Sequence, residues 1–311
     1  MTKCFLCPRR CGVDRETREK GFCGEDARLR IASASIHRGE EPPVTGEGGS
    51  GTIFVSGCNL GCVFCQNHQI SGGGMGRPVD TAEFAAICLA LQEKGAENIN
   101  IVTGSHAVPA IVEGIRAARE KGLHLPVLWN SSAYESTEAL ALLQDTVDKY
   151  LPDLKTLDVA IAEKFFHAPD YPEHAAAAIE KMMEYRPPAD GTKRVIIRHL
   201  MIPGYPESTR QVLRWFAGRT KGKALLSLMT QYTPVNQQGP GRFINQGEYE
   251  TALGWLEEFD IEDGFYQELE PSSDWLPDFR RTNPFSSALS RPVWHWKDGF
   301  AGSGGPTRSG A

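Results

Sequence analysis

Cys58-Asn59-Leu60-Gly61-Cys62-Val63-Phe64-Cys65 sets three thiols at C-x3-C-x2-C spacing on one short loop. At that spacing each sulfur can take a different iron of a cubane cluster, which leaves one iron without a protein ligand. The vacancy decides the chemistry. A molecule offering an amine and a carboxylate can chelate the open iron and receive an electron from it, whereas a fully cysteine-ligated cluster only carries electrons. Gly57 and Gly61 suit such a loop, since glycine tolerates unusual backbone angles and lets amide N–H groups approach the sulfurs. The competing reading is a zinc knuckle completed by a fourth ligand such as His68.

The loop follows an apolar run at 52–56, and further runs at 98–103, 125–129, 147–154, 194–202 and 224–230 also read as mostly buried strands. Amphipathic stretches alternate with them. Asp80 as N-cap, with Glu83 three residues on, starts a helix whose Phe84, Ile87, Cys88 and Leu91 share one face, so Cys88 is a core residue. Val108, Ile111, Val112 and Ile115 mark a second helix, and others are expected at 137–143, 173–185, 207–217 and 248–259. This alternation predicts an α/β fold with a parallel sheet. In a barrel-like version the cysteine loop stands at the carboxyl ends of the strands, where active sites collect.

The 311 residues carry 33 basic and 39 acidic side chains, a net charge of -6, which excludes a broad basic field for nucleic acid. No run approaches the roughly 18 apolar residues of a membrane span, and residues 1–10 lack the apolar stretch of a secretory signal. A cytoplasmic protein without membrane partners is therefore expected. In that reducing compartment the eight cysteines point to metal binding or catalysis rather than disulfides. Cys4, Cys7, Cys11 and Cys23 offer four thiolates that suit either tetrahedral zinc or an auxiliary iron-sulfur cluster, with no open position left. Arg9 and Arg10 beside them either offset that charge or face solvent.

Segments 38–51, with Glu40-Glu41-Pro42-Pro43, and 71–76, rich in glycine, read as linkers, an active-site lid being the other reading, and the chain from Gly299 reads as a disordered tail. The expected division is a Cys-rich metal-binding segment and linker over 1–50, a catalytic unit over 51–275, and a C-terminal extension over 276–311, disordered at its end. Of the tryptophans, Trp129, Trp275, Trp294 and Trp296 are assigned mostly to packing, a substrate surface being the other reading.

Four stretches, Ser56-Gly-Cys-Asn-Leu-Gly-Cys-Val-Phe-Cys-Gln-Asn67, Tyr150-Leu-Pro-Asp-Leu-Lys155, Arg198-His-Leu-Met-Ile-Pro-Gly204 and Leu228-Met-Thr-Gln-Tyr-Thr-Pro234, together resemble the homologues of pyruvate formate-lyase activating enzyme in the radical S-adenosylmethionine (SAM) superfamily. The resemblance runs from Cys4 to Phe279. It implies a partial (βα)6 barrel, open on one side, with a 4Fe-4S cluster and SAM at its mouth. It also implies that SAM binds the open iron, that an electron breaks its sulfonium bond, and that a 5'-deoxyadenosyl radical takes hydrogen from a substrate.

Under that resemblance Cys58, Cys62 and Cys65 hold the cluster and Phe64 lies beside the adenine. Candidate SAM contacts are Thr103, Gly104 and His106 after the second strand, Asn130 and Ser131 after the third, and Asp153 and Lys155 at the fourth. Lys155 can meet the SAM carboxylate, and Arg198 and His199 resemble further contacts. The Gly-Gly-Glu of many such enzymes is replaced by Val102-Thr-Gly-Ser-His106, which leaves the SAM amine to Thr103 or backbone carbonyls. The family further implies a reductant such as flavodoxin or ferredoxin, and a glycyl-radical enzyme as protein substrate. The alternatives are a different peptide or small-molecule substrate, or a non-catalytic cysteine-metal electron carrier or scaffold.

Overall fold

A computed structural model describes residues 3–185, 191–270, 272–273, 275–286 and 288–302. Its first strand, β1 (Arg30–His37), is followed by a single helical turn, α1 (Pro42–Thr45), and by β2 (Ser50–Val55). After the cysteine loop come α2 (His68–Ser71), β3 (Arg77–Pro78), α3 (Thr81–Glu93), β4 (Ile99–Val102) and α4 (Val108–Glu120). Then β5 (Val127–Ser131), α5 (Thr137–Leu143), β6 (Lys149–Pro152), α6 (Val159–Phe166) and α7 (Tyr171–Glu184) continue the alternation. β7 (Val195–Leu200), α8 (Pro206–Arg219), β8 (Ala224–Met229), α9 (Gln246–Glu258) and β9 (Gly264–Tyr266) complete it, and β10 (Ser290–His295) and β11 (Gly299–Phe300) return to its far edge.

The sheet order is β11-β10-β1-β2-β4-β5-β6-β7-β8-β9, with β3 against β1. Every pairing from β2 to β9 along this path is parallel. The pairings of β1 with β2 and with β10 are antiparallel. The six predicted strands are thus β2, β4, β5, β6, β7 and β8, and the sheet does not close, as a partial barrel requires. Asp80 caps α3 by accepting the Glu83 N–H at 2.8 Å, and Cys88 is fully buried in the core. No helix among the described residues is long and apolar enough to cross a membrane.

Three expectations change. The sheet extends past 51–275 at both ends, because β1 and β10 pair with each other and bury Ala34 opposite Trp294. The stretch at 71–76 is ordered rather than a loose linker: Arg30 donates to the Gly74 and Gly76 carbonyls at 2.7 Å each, and the Ser56 hydroxyl donates to that of Met75. Gly299 and Phe300 form β11 against β10 instead of opening a disordered tail; the expected disorder beyond 302 lies outside the described residues.

Two side chains show how these elements are locked. Trp294 is completely buried, donates its indole N–H to Glu83 at 3.1 Å, and lies under the Arg77 guanidinium at 4.7 Å, so β10 is tied to α3 and β3. His199 bridges β7 to its neighbours: Nδ1–H donates to the Leu154 carbonyl at 2.8 Å and Nε2 accepts from the Thr209 hydroxyl at 3.0 Å. Both ring nitrogens are used by the neutral tautomer, and burial pushes its pKa down to about 4.

Replacing Trp294 by Ala is expected to cost about 3–5 kcal/mol, the range for emptying a large aromatic site. It should appear as a lower urea midpoint; an unchanged midpoint would show that β10 is not part of the cooperative unit. For His199, the unfolded chain takes up a proton below about pH 6.5 while the native chain resists until about 4. Stability should therefore fall as pH drops through that window. His199→Leu, although less stable at neutral pH, should show a flatter decline in denaturation series across it, and identical slopes would remove His199 as the cause.

Candidate active site

The carboxyl ends of the parallel strands surround a cavity of about 250 Å³. Cys58, Cys62 and Cys65 line it, delivered by the loop after β2, and Phe64, Gln66 and Asn67 line it beside them. Thr103 follows β4, Asn130 and Ser131 close β5, Asp153 and Lys155 follow β6, Arg198 comes from β7, and Met229 and Gln231 come from the end of β8.

The triad loop folds as its glycines suggest. Gly57 and Gly61 adopt φ of +85° and +73°, and a Cβ on Gly57 would lie 2.5 Å from the Glu25 side chain and 2.9 Å from the Cys23 carbonyl. The Leu60 N–H reaches the Cys58 sulfur at 3.4 Å, and the Ser71 hydroxyl reaches that of Cys65 at 3.3 Å. Burial pushes both the Cys62 and Cys65 thiols above their ordinary range, with Lys155 pulling the other way. Without positive charge at the sulfurs they stay protonated, so a thiolate cluster needs its iron to hold the charge.

The three thiols line one cavity from a single loop, which fits a cubane that takes one thiolate per iron. His68 is exposed, with its ring nitrogen 3.3 Å from the Cys65 carbonyl, and it does not line the cavity. A cubane spreads three thiolates over separate corners.

Across the cavity Lys155 Nζ donates to Asp153 at 2.6 Å. Burial alone would lower the ammonium pKa, but the Asp153 carboxylate more than offsets it and holds Lys155 charged. The Lys155 backbone N–H donates to the Tyr171 hydroxyl at 2.9 Å, and that hydroxyl lies 2.7 Å from the Asp153 carbonyl, so the pair stands on a fixed backbone. Thr103 has φ of +64°, a strained value for a β-branched residue, held by its N–H bond to the Asn130 carbonyl at 2.9 Å. Phe64 packs edge-on to Phe165 and Tyr232, with centroids 5.5 and 5.3 Å away.

Three of the predicted contacts are not brought to this cavity. Gly104 packs against Trp129, where a Cβ would come within 2.5 Å of the ring. His106 binds the Ser56 carbonyl at 2.8 Å and lines the pocket of the N-terminal cysteines instead. His199 faces α8 as described. Arg198 does line the cavity, but its guanidinium is shared by Glu41, at 2.8 and 2.5 Å, and Glu40, at 2.5 Å.

Glu40, within the 38–51 stretch read as a linker, is a cavity residue, and so is His37 at the end of β1. The signal for Glu40 was the acidic pair before Pro42-Pro43, which only becomes informative once Arg198 is placed opposite. Trp275 also lines the cavity, whereas Trp129 and Trp294 are core residues.

Comparisons with known proteins agree with this architecture. The uncharacterized protein MJ0674 of Methanocaldococcus jannaschii is 29% identical over 273 residues, covering 83% of this chain and 75% of the relative. Among solved structures, Streptococcus suis SuiB bound to its precursor peptide SuiA aligns with a TM-score of 0.51 at 13% identity, over 68% of this chain and 47% of SuiB. A radical SAM methyltransferase from Sphaerobacter thermophilus aligns with a TM-score of 0.51 at 16% identity, over 70% of this chain and 66% of that one. The chain thus spans less than two thirds of either structure's length, and these likenesses concern the fold. The Radical SAM superfamily profile matches residues 52–216, more than half of the chain, from the strand before the triad to α8. The chain belongs to the Radical SAM superfamily, whose members combine a 4Fe-4S cluster with SAM for radical chemistry.

Proposed function

We propose that Cys58, Cys62 and Cys65 hold the 4Fe-4S cluster, that SAM occupies the adjoining cavity, and that the enzyme abstracts hydrogen from a substrate entering by the open side of the barrel. The observation that carries this is the placement of three cavity-lining thiols and the Asp153–Lys155 pair around one mouth of a parallel sheet. When bound, the cluster and SAM supply an electron for sulfonium cleavage and a 5'-deoxyadenosyl radical that takes the hydrogen atom.

The chain's own residues position and shield. The Lys155 ammonium supplies a fixed positive charge for the SAM carboxylate, with Asp153 holding it in place. Thr103, Asn130 and Ser131 offer hydroxyl and amide groups for the remaining polar atoms, and Thr103 stands where the amine contact is expected. Phe64, Phe54, Trp275 and Phe285 supply apolar walls that keep water from a reactive carbon radical.

An adjoining cavity of about 320 Å³ lies against the edge strand β9 and shares Glu40, Arg198, Met229 and Gln231 with the first. That continuity supports an extended substrate, and the four sequence stretches favour a backbone glycine of a partner glycyl-radical enzyme. Reduction is assigned to flavodoxin or ferredoxin.

Anaerobic reconstitution followed by reduction in the presence of SAM should yield 5'-deoxyadenosine and methionine. Cys62→Ala should abolish both products, and persistent turnover would count against the assignment. Lys155→Ala should raise the KM for SAM about 10- to 100-fold, the range for losing a charge-assisted hydrogen bond. Mixing with a glycyl-radical enzyme should generate a glycyl electron-spin signal; SAM cleavage with no such signal would redirect the substrate assignment to another peptide or small molecule.

A further inference from the structure

The parallel sheet stops at β9. Among the described residues this strand pairs with β8 on one side and with no strand on the other. The Asp263 carbonyl accepts the Leu226 N–H and the Gln267 N–H donates to the Leu228 carbonyl, each at 3.0 Å. In a parallel ladder alternate residues bond to opposite sides, so the backbone N–H and C=O groups of Gly264 and Tyr266 face the free edge. We propose that a lysine- or arginine-bearing segment of a protein substrate docks here as an added strand, which leads its reacting residue to the SAM cavity. The inference rests on the radical reading above and specifies how that enzyme takes hold of its substrate.

Both faces of this edge are shaped to receive a strand. Ser227 and Met229 line the cavity of about 320 Å³ on one face. Leu226, whose side chain alternates with theirs, lines another of about 360 Å³ on the opposite face. Gly264, Phe265 and Tyr266 border both cavities, and Tyr266 is 56% exposed. The second cavity is walled by Leu253, Leu256 and Ile261, all half-buried. An added strand sends successive side chains to opposite faces, and so into each cavity in turn.

Charge identifies the occupant. From Asp260 to Glu270 the chain carries Asp260, Glu262, Asp263, Glu268 and Glu270 and no lysine or arginine. Lys221 reaches Asp260 and Lys193 reaches Asp263, whereas Glu262, Glu268 and Glu270 are exposed with no ion-pair partner among the described residues. A cationic peptide meets carboxylates at both ends of β9. A second copy of the chain would set the same acids against one another across the edge, which disfavours a β9-to-β9 dimer.

The way inward is lined with amides. The Gln267 side chain donates to Gln231 Oε1 at 3.1 Å, and the Gln66 side chain donates to the Gln231 carbonyl at 2.9 Å. Gln231 lines both the β9 cavity and the SAM cavity, and Gln66 follows Cys65 of the triad. A peptide leaving the edge therefore meets groups that can pair with its own backbone as far as the triad loop.

The reconstituted full chain is titrated at low ionic strength with short dye-labelled peptides that alternate valine and lysine about a central glycine, and anisotropy reports binding. The same peptide with glutamate for lysine should bind at least about 10-fold more weakly, and so should the lysine peptide with every backbone amide N-methylated. In the protein, Tyr266→Pro removes the N–H at the free edge and leaves the bonds to β8 in place. It should weaken the lysine peptide about 10-fold relative to Tyr266→Ala, which keeps that N–H, with circular dichroism confirming the fold; should Tyr266→Pro unfold, the N-methylated peptide makes the same test on the wild-type chain. Equal binding of the lysine and glutamate peptides, indifference to N-methylation, or binding of none of them would overturn the proposal. A dimer that Tyr266→Pro dissociates, read by sedimentation, would give the edge to a second copy and overturn it too. Cleavage of SAM without peptide docking sinks this inference alone, and docking without SAM cleavage sinks the radical reading alone.

Discussion

Placement of three thiols on one loop at the carboxyl end of a parallel sheet is the constraint from which much of the surrounding structure follows. Burial pushes the Cys62 and Cys65 thiols up, so charge has to arrive with iron, and the loop has to be in position to receive it. A stretch with so little regular secondary structure cannot supply that order alone. It is pinned from several sides: Arg9 takes the carbonyls of Asn59 and Leu60 together with that of Phe166, and the Asn59 side chain donates to the Tyr134 carbonyl at 2.6 Å. The Val63 N–H bonds the Phe165 carbonyl at 2.9 Å. The cysteine-rich start of the chain is thus part of the scaffold of the reactive centre.

Charge inside the cavity is arranged in two unequal groups. Asp153 and Lys155 balance each other and leave a directional ammonium at the mouth. Elsewhere two carboxylates, those of Glu40 and Glu41, share the single guanidinium of Arg198. Burial of that guanidinium would lower its pKa, but Glu41 and Glu40 hold it well above its ordinary value, and the same contact keeps Glu41 ionised. Arg198 is therefore committed to Glu40 and Glu41, the two residues immediately before the helical turn α1.

The parts legible in the sequence were those with a local signal. The six strands from β2 to β8 that pair in parallel are continuous apolar runs, and α5 matches its expected bounds because Ser136 caps it and Leu140 and Leu143 face the core. The cysteines were legible by spacing. What escaped was set by distant partners. β1 reads Arg-Ile-Ala-Ser-Ala-Ser-Ile-His, small residues with little strand propensity, and is a strand because β2 and β10 flank it. β10 contains Pro292, which weakens a strand reading and here sits where the register with β1 shifts. Gly104 and His106 were assigned by position after a strand and His199 by resemblance along one, and neither says which way a side chain turns.

The pairing of β1 with β10 has a temporal side. During synthesis β1 leaves the ribosome long before its outer partner exists, so most of the sheet can assemble while that edge still exposes unpaired backbone groups. Nascent chains are thus open to strand-to-strand association along this edge until β10 has been made, and β10 then acts as the cover that ends the hazard.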